Sequence, residues 1–156
     1  MGQTLAVHFS SGKDDWGTPP EVFNPLHAEF GFDIDAAANE SNTRMHDWFG
    51  PGSSVEDALA VEWAGYGASF WCNPPYSRGL QAKFIAKAAE ESLRGVQTVM
   101  LLPARTDTKV FHAHIWDRER HQPYDGIEVR FLKGRIKFKG AKHGAPFPSM
   151  VVVFRP

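Results

Sequence analysis

The chain has a single cysteine and no long apolar run, and each of these features excludes a class of protein. The single cysteine among 156 residues, Cys72, excludes an internal disulfide framework and is typical of a reducing compartment. No apolar run approaches the roughly 18 residues of a membrane-spanning helix. The first residues also lack the pattern of a secretory signal or a myristoylation site. We therefore expect a soluble, cytoplasmic protein without a membrane partner.

The remaining composition fits one globular domain. Hydrophobic residues make up 42% and charged residues 22% of the chain, which is ordinary for a protein with a packed core. No repeat, low-complexity tract or linker divides the sequence. We predict a single domain over residues 1–156, with residues 1–14 loosely ordered.

The net charge of −1 hides an uneven distribution along the chain. The first 104 residues carry 13 acidic against 6 basic side chains, whereas the last 52 carry 11 basic against 5 acidic. Aromatic rings and cations alternate in the basic part, in RFLKGRIKFKGAK. Such a part can bind a polyanion, and it can equally be a solvated hairpin whose lysines protect an edge strand.

Hydrophobic patterning predicts strands that alternate with helices. Short strands are predicted at 32–35 and 69–72, and a continuously apolar one at 96–102. A first helix is predicted to start at Pro25, with Asn24 as its cap, and to end at Gly31. A second covers 79–93, and a third runs from Asp107 to Trp116.

The end of the chain predicts antiparallel strands. The stretches IEVRFL and RIKF flank a turn at Lys133-Gly134 and are predicted to form a hairpin, with MVVVF as a further strand. Together these elements predict an open, three-layer α/β sheet. Ligands of such sheets bind at the carboxyl ends of the strands, so the loops after 32–35 and 69–72 are the candidate site.

The second of these loops has the sequence Asn73-Pro74-Pro75-Tyr76. The exocyclic amine of a nucleic-acid base is a poor nucleophile because its lone pair is delocalised into the ring. The side-chain carbonyl of Asn73 and the main-chain carbonyl of Pro74 could accept its hydrogens, and proline fixes the second carbonyl in advance. Tyr76 could stack on a base turned out of the duplex. The motif therefore predicts methyl transfer to a base amine.

The chain resembles the small phage and prophage DNA N6-adenine methyltransferases, the Dam-like group. The resemblance extends from about Trp16 to Phe154 and is carried by DWGTPP, FDIDAAANESN, EDALAVEW, WCNPPYS, LLPARTDTKVF, GRIKF and PFPSMVVVF. It implies a Rossmann-like, three-layer S-adenosylmethionine-dependent methyltransferase fold, with a mixed sheet that ends in an antiparallel hairpin. It also implies S-adenosylmethionine as cofactor, DNA as partner, a phage or prophage origin and protection of DNA from restriction.

The resemblance also assigns roles to particular positions. The catalytic motif is Asn73, Pro74, Pro75 and Tyr76. Donor contacts are implied for Trp16, Thr18, Pro19, Asp33, Asp35, Ala36 and Asp57, the last as acceptor for the adenine amine of the donor. The simpler interpretation of Asp33 and Asp35 is turn formation at a strand end, and that of Asp57 is a helix cap.

A basic set completes the predicted site. Arg105 lies in a loop after a predicted strand. Four further cations occupy alternate positions of the predicted hairpin and would share one of its faces. The residues predicted to contact DNA are Arg105, Lys133, Arg135, Lys137 and Lys139. The alternative for Arg105 is a loop arginine next to a capping Asp107. No segment is left over for a separate recognition domain, so specificity is either loose or comes from a homodimer.

One departure from the usual pattern of this fold, and the occurrence of the catalytic tetrapeptide in other families, leave alternatives open. The donor loop contains Ala36-Ala37-Ala38 in place of the glycines usual in this fold. An inactive DNA-binding module of the same fold is therefore one alternative. N4-cytosine methyltransferases and glutamine-amide methyltransferases share the catalytic tetrapeptide and are the others, although the first more often begin with Ser and the second usually have a glycine-rich loop.

Cysteine and histidine chemistry is not predicted. Cys72 follows Trp71, whereas a proline precedes the nucleophilic cysteine of cytosine-C5 methyltransferases, so a buried, inert thiol is expected. His112 and His114 are two residues apart, the wrong spacing for one helix face. No metal site is predicted, and Trp63 and Trp71 are expected in the core.

Overall fold

Strands and helices alternate through most of the chain in the computed structural model, which describes residues 17–77 and 79–156. The helices are α1 (Pro20–Phe30), α2 (Leu80–Ser92) and α3 (Lys109–His114), and short 3-10 turns cover Ala58–Ala60 and Trp63–Gly65. The strands are β1 (Ile34–Asp35), β2 (Ser69–Cys72), β3 (Gln97–Pro103), β4 (Trp116–Asp117), β5 (Gln122–Pro123), β6 (Ile127–Phe131) and β7 (Ser149–Phe154). Residues 1–14, for which loose order was expected, lie outside the described residues.

Five strands form one mixed sheet in the order β1-β2-β3-β7-β6. The first three are parallel, with Asp35 opposite Trp71 and Cys72 opposite Met100. Strand β7 is antiparallel to both of its neighbours, β3 and β6. The carboxyl ends of β1, β2, β3 and β6 therefore meet at one edge of the sheet, together with the start of β7.

Both faces of the sheet are covered, because the stretches 70–72, 99–102 and 150–154 of its central strands are apolar at every position. Met100 and Leu102 of β3 belong to a core that helices α2 and α3 cover through Phe84 and Phe111, among others. The alternate residues of the same strands pack on the other face against α1 and the segment 136–145; they include Trp71, Val99, Leu101, Val151 and Val153. This period of two is what a strand buried on both faces requires.

The strand predictions are largely confirmed. Strand β2 has the predicted bounds, β3 and β7 each differ from theirs by one residue, and only Ile34–Asp35 of 32–35 pairs as a strand. The expected core residues Trp63, Trp71 and Cys72 are at most 1% exposed. Burial raises the pKa of the Cys72 thiol, which fits the inert role expected for it.

Two helix starts were predicted at the wrong residue. Helix α1 begins at Pro20, whose ring presets the first helical φ, and the carbonyl of Pro19 accepts the N–H groups of Val22 and Phe23. Pro25 consequently lies inside the helix, and Gly31, at φ +62°, ends it as expected. Helix α3 is capped by Thr108 instead of Asp107, because the Thr108 hydroxyl accepts the Phe111 N–H, and this helix ends before Trp116.

The predicted hairpin around Lys133-Gly134 does not form. Strand β6 pairs with β7, and residues 135–138, which the structure describes in full, belong to no strand. Ile136 and Phe138 nevertheless point into the core while Lys137 and Lys139 are exposed, so the predicted alternation survives. The physical reason is competition, since the buried β7, which is apolar from Met150 to Phe154, offers β6 far more apolar contact than the basic segment 133–139 does.

A close approach of two loops holds the open side of β1. Segment 47–49 runs beside β1, where Asp35 and Trp48 form a parallel bridge. The Ala38 N–H donates to the Phe49 carbonyl over 3.0 Å, and a Cβ atom on Gly50 would lie 1.7 Å from the Ala38 oxygen. Only glycine fits that position. Among the described residues, no helix has the length and apolar character needed to cross a bilayer.

Candidate active site

The carboxyl ends of three neighbouring parallel strands bring the predicted loops together. Asp35 ends β1, Asn73 follows β2, and Arg105 comes two residues after β3. After β1 the chain passes first to segment 47–49 on one side and then to β2 on the other. This change of direction is a topological switch point, the place where open α/β sheets bind their ligands.

The side chain of Asn73 is held at both ends of its amide. Its Nδ2 donates to the Thr18 hydroxyl over 3.1 Å, and its Oδ1 accepts from the Tyr76 hydroxyl over 3.1 Å. Asn73 is partly exposed, whereas Pro74 and Pro75 are buried. The loop therefore presents one oriented amide on a stiff, packed backbone.

The Tyr76 ring packs between two phenylalanine rings. It meets Phe138 edge to face at 5.8 Å between ring centroids, and Phe147 at 5.3 Å. Burial raises the pKa of the Tyr76 hydroxyl, so the group stays protonated and acts as a donor at neutral pH. The exposed Arg105 lies over the Phe147 ring, with its guanidinium carbon 5.8 Å from the ring centroid.

Thr18 contacts the loop that follows β2 through its hydrogen bond with Asn73. Thr18 is 3% exposed, and its carbonyl accepts a 2.7 Å hydrogen bond from Nε of Arg44. Pro19 is buried, and the neighbouring Gly17 carbonyl accepts the Lys139 N–H over 2.9 Å. The segment before α1 is thus held on one side by Arg44 of the loop that follows β1, and on the other by Lys139 of the basic segment 133–139.

Asp35 is a buried carboxyl at the switch point. It is 3% exposed and accepts the N–H groups of Ala37 and Arg44, over 3.3 and 3.5 Å. Burial raises the pKa of Asp35 to about 7, although these hydrogen bonds oppose the shift. Ala36 is fully buried in the core, so its methyl group offers no surface to a ligand in this conformation.

Two further residues predicted to bind the donor accept hydrogen bonds from main-chain N–H groups. Asp33 accepts the N–H groups of Ala68 and Ser69, at the edge of the sheet opposite to the site. Asp57 is exposed and accepts the Leu59 N–H over 3.0 Å, the expected cap. Trp16 lies outside the described residues.

The predicted DNA-binding cations lie on the surface near this edge. Lys133, Arg135, Lys137 and Lys139 are all exposed. The first two follow the end of β6, and Arg135 donates to the Ala145 carbonyl over 3.2 Å. Through its bridge to Gly17, Lys139 lies next to the segment that carries Thr18.

Sequence reasoning missed three residues of the site. Arg44 holds Thr18 and Asp35 from an irregular loop that has no periodicity to mark it. Phe138 and Phe147 enclose Tyr76, and only the prolines on either side of Phe147 could have drawn attention to it. Among the described residues, no group of three or more histidine, cysteine and acidic side chains could hold a metal ion.

The family model for DNA N-6-adenine-methyltransferase (Dam) matches residues 7–156. The chain belongs to this family. As a Dam-family protein, it is an enzyme that methylates the N6 amine of adenine in DNA, and the family match favours this activity over the alternatives left open by the sequence. No curated protein matches the chain closely enough to be compared with it.

The buried Asp35 should make the stability of this methyltransferase depend on pH. Its pKa is higher in the folded state than in the unfolded chain, so its contribution is full below about pH 4 and is lost as pH rises to about 7. We expect the free energy of unfolding to fall by about 1.3 kcal/mol between pH 5 and 6 from this group alone, with a slope about half as steep at pH 7. Urea denaturation of the wild type and Asp35→Asn at each pH measures the difference.

Asp35→Asn should have the flatter profile of the two. Glu40→Gln, which removes an exposed carboxylate, controls for the change in net charge. If the free energy of unfolding changed equally with pH in the wild type and in Asp35→Asn, the raised pKa assigned to Asp35 would be contradicted.

Proposed function

We propose that the enzyme takes its methyl group from S-adenosylmethionine and acts on an adenine turned out of the DNA helix. We also infer that its domain is the Rossmann-like fold of S-adenosylmethionine-dependent methyltransferases. The switch point at β1 and the antiparallel pair β6–β7 at the end of the sheet support this fold. The observation that carries the proposal is the doubly held amide of Asn73, directly beside the loop that follows β1.

The loop after β1 and the segment before α1 fit a cationic donor. Asp35 is a buried carboxyl whose pKa stays raised to about 7, because burial outweighs its hydrogen bonds and the charge of Arg44. A ligand with a positive charge or with hydroxyl groups would stabilise the charged form of this carboxyl. We assign Asp35, Pro19 and the main chain of Thr18 to the donor site, and keep Trp16 and Asp57 as further contacts. When bound, S-adenosylmethionine supplies an electrophilic methyl group.

The catalytic loop fits the other reactant. Oδ1 of Asn73 and the Pro74 carbonyl would accept the two hydrogens of the N6 amine, which leaves its lone pair free to attack the methyl carbon. The amine then loses one proton to solvent or to a nearby acceptor. Tyr76 would stack on the extruded ring, in place of its present contact with Asn73. Direct displacement of this kind requires no covalent intermediate with the protein.

A cavity next to Tyr76 gives space for an extruded base. It measures about 360 Å³, within the range of small-molecule sites of about 300–1,000 Å³. It lies between α2 and α3, and Arg105, Gln81 and Thr108 are among the polar residues that line it. Arg105 is thus near both the cavity and the Tyr76 cluster, which supports its assignment to DNA contact.

The exposed cations would contact the phosphate backbone. Lys133, Arg135, Lys137 and Lys139 lie on the same side as the site, in the part of the chain with net positive charge. We further propose that target recognition comes from this basic segment or from a homodimer, which sedimentation with and without DNA would separate. Protection of phage or prophage DNA from restriction is the biological role that we propose.

Lys137→Glu should weaken DNA binding. We expect a lower affinity and a salt dependence of log K reduced by about one charge, because a phosphate contact is lost. Fluorescence anisotropy with a labelled duplex at several salt concentrations measures both. Lys83→Glu makes the same charge change on an exposed position of α2, which covers the other face of the sheet, and should leave the slope unchanged. Equal slopes for Lys137→Glu and the wild type would exclude this face from the DNA contact.

Product analysis tests the proposal as a whole. The purified protein is incubated with unmethylated DNA, with and without S-adenosylmethionine, and the digested nucleosides are examined by mass spectrometry. N6-methyladenine that appears only with the donor is the expected result. N4-methylcytosine would keep the mechanism and change the base. A protein that neither methylates DNA nor binds the donor in calorimetry would contradict the proposal.

A further inference from the structure

The two ends of an asparagine amide differ, and only one of them suits the reaction. Oδ1 accepts hydrogen bonds, whereas Nδ2 only donates them. An amide rotated by 180° would therefore turn its N–H groups toward the target amine and repel it. The proposed role of Asn73 consequently requires a partner that fixes the orientation of its amide.

Two hydroxyl groups fix that orientation in the structure. The phenol of Tyr76 is the more acidic of the two and the better donor, so it takes Oδ1, and the aliphatic hydroxyl of Thr18 accepts from Nδ2. Under the proposed function, Tyr76 exchanges its hydrogen bond to Asn73 for a stack on the target base, and Oδ1 accepts from the target amine. Once Tyr76 moves, Thr18 is the described partner that still holds the amide.

Thr18 is itself firmly placed. Its side chain is buried, and Nε of Arg44 donates to its carbonyl over 2.7 Å. The main-chain N–H of Arg44 in turn donates to Asp35. The Thr18 hydroxyl is therefore fixed relative to the end of β1 and does not depend on the catalytic loop.

We propose that Thr18 is a positioning residue, whose hydroxyl holds Nδ2 of Asn73 and so keeps Oδ1 directed toward the target amine. This inference rests on the proposed role of Asn73 and goes beyond the donor contact that the sequence assigns to Thr18. Thr18 would then act mainly on the rate of transfer and not on the affinity for the donor.

A symmetric side chain at position 73 provides the test. The two oxygens of a carboxylate are equivalent, so Asn73→Asp has no orientation to fix. Thr18→Val removes the hydroxyl at nearly constant volume, and Thr18→Ser retains it. Each is made in the wild-type and the Asn73→Asp backgrounds as a double-mutant cycle. The kcat is measured at saturating donor and DNA, the donor Kd by calorimetry, and folding by thermal unfolding.

The inference predicts coupling between the two positions. In the wild-type background, Thr18→Val should lower kcat by about tenfold or more and change the donor Kd by less than about threefold. Thr18→Ser should recover at least a third of the wild-type kcat. In the Asn73→Asp background, Thr18→Val should lower kcat by less than about twofold relative to Asn73→Asp itself.

Several results would overturn it. An equal loss of kcat in both backgrounds would mean that the hydroxyl acts independently of the amide. A raised donor Kd with unchanged kcat would leave Thr18 as a donor contact alone. If Asn73→Asp is inactive, the comparison of Thr18→Ser with Thr18→Val decides, and equal losses in the two would refute the role. If Thr18→Val does not fold, Thr18→Ala replaces it with the same expectation.

Failure of this inference is distinct from failure of the proposed function. An active Asn73→Ala variant would refute the role of Asn73, and the question of its orientation would disappear. An inactive Asn73→Ala together with an active Thr18→Val would preserve the role of Asn73 and refute that of Thr18.

Discussion

Asn73→Ala is expected to abolish methyl transfer while S-adenosylmethionine continues to bind. The substitution removes Oδ1, the acceptor that we assign to the target amine, and loss of one such group from a reacting centre costs about 10²–10³-fold in rate. It also removes the hydrogen bonds to Thr18 and Tyr76. The donor Kd should change by less than about threefold, because the proposed donor residues lie on β1 and before α1.

Single-turnover kinetics and calorimetry separate the two effects. Asn24→Ala removes an exposed amide from α1 and should behave as the wild type in both measurements. Thermal unfolding shows whether Asn73→Ala is folded, since two lost hydrogen bonds are expected to cost about 1–3 kcal/mol. Turnover within threefold of the wild type would exclude Asn73 as the acceptor.

Gly50→Ala should be the most destabilising single change of those considered. The added Cβ would lie 1.7 Å from the Ala38 oxygen and 2.9 Å from its carbonyl carbon, and the glycine has φ +145°. Both atoms belong to the backbone, so no side chain can rotate away to make room. We expect the free energy of unfolding to fall by more than about 4 kcal/mol, or no folded protein to be recovered.

Urea denaturation measures the loss, with Gly65→Ala as the matched control. A Cβ on Gly65 would meet no atom within 4 Å, so that variant should lie within about 1 kcal/mol of the wild type. Because Gly50 packs on the loop that follows β1, a partly folded Gly50→Ala protein should lose donor affinity as well. Wild-type stability of Gly50→Ala would contradict the close packing of these loops.

The same contact offers a physical reason why the loop after β1, which we propose as the donor loop, has no glycine of its own. Ala36, Ala37 and Ala38 are all buried, so small apolar side chains suit that loop. The close backbone approach that a glycine-rich loop usually allows is made here from the opposite side, by Gly50. The sequence reveals the alanines but not their partner, because Gly50 lies in a stretch without periodicity.

Local chemistry explains which predictions were correct. Strands β2, β3 and β7 are predictable because each depends on a continuous run of residues, and the position of the Asn73 loop directly after β2 follows from the same run. The partner of β6 was predicted wrongly, since strand pairing is decided by distant apolar contacts and not by the nearest turn. The roles of Thr18 and Arg44 depend on contacts between segments 26 residues apart or more, which no local pattern predicts.

The position of β7 bears on how the chain acquires its fold during synthesis. The last strand of the sheet in chain order is inserted between β3 and β6, and all six of its residues are buried. Until residue 154 has left the ribosome, β3 lacks one neighbour and both cores are incomplete. We therefore expect nascent chains that end before β7 to be unfolded and open to proteolysis, and the catalytic loop to become ordered only after translation of that strand.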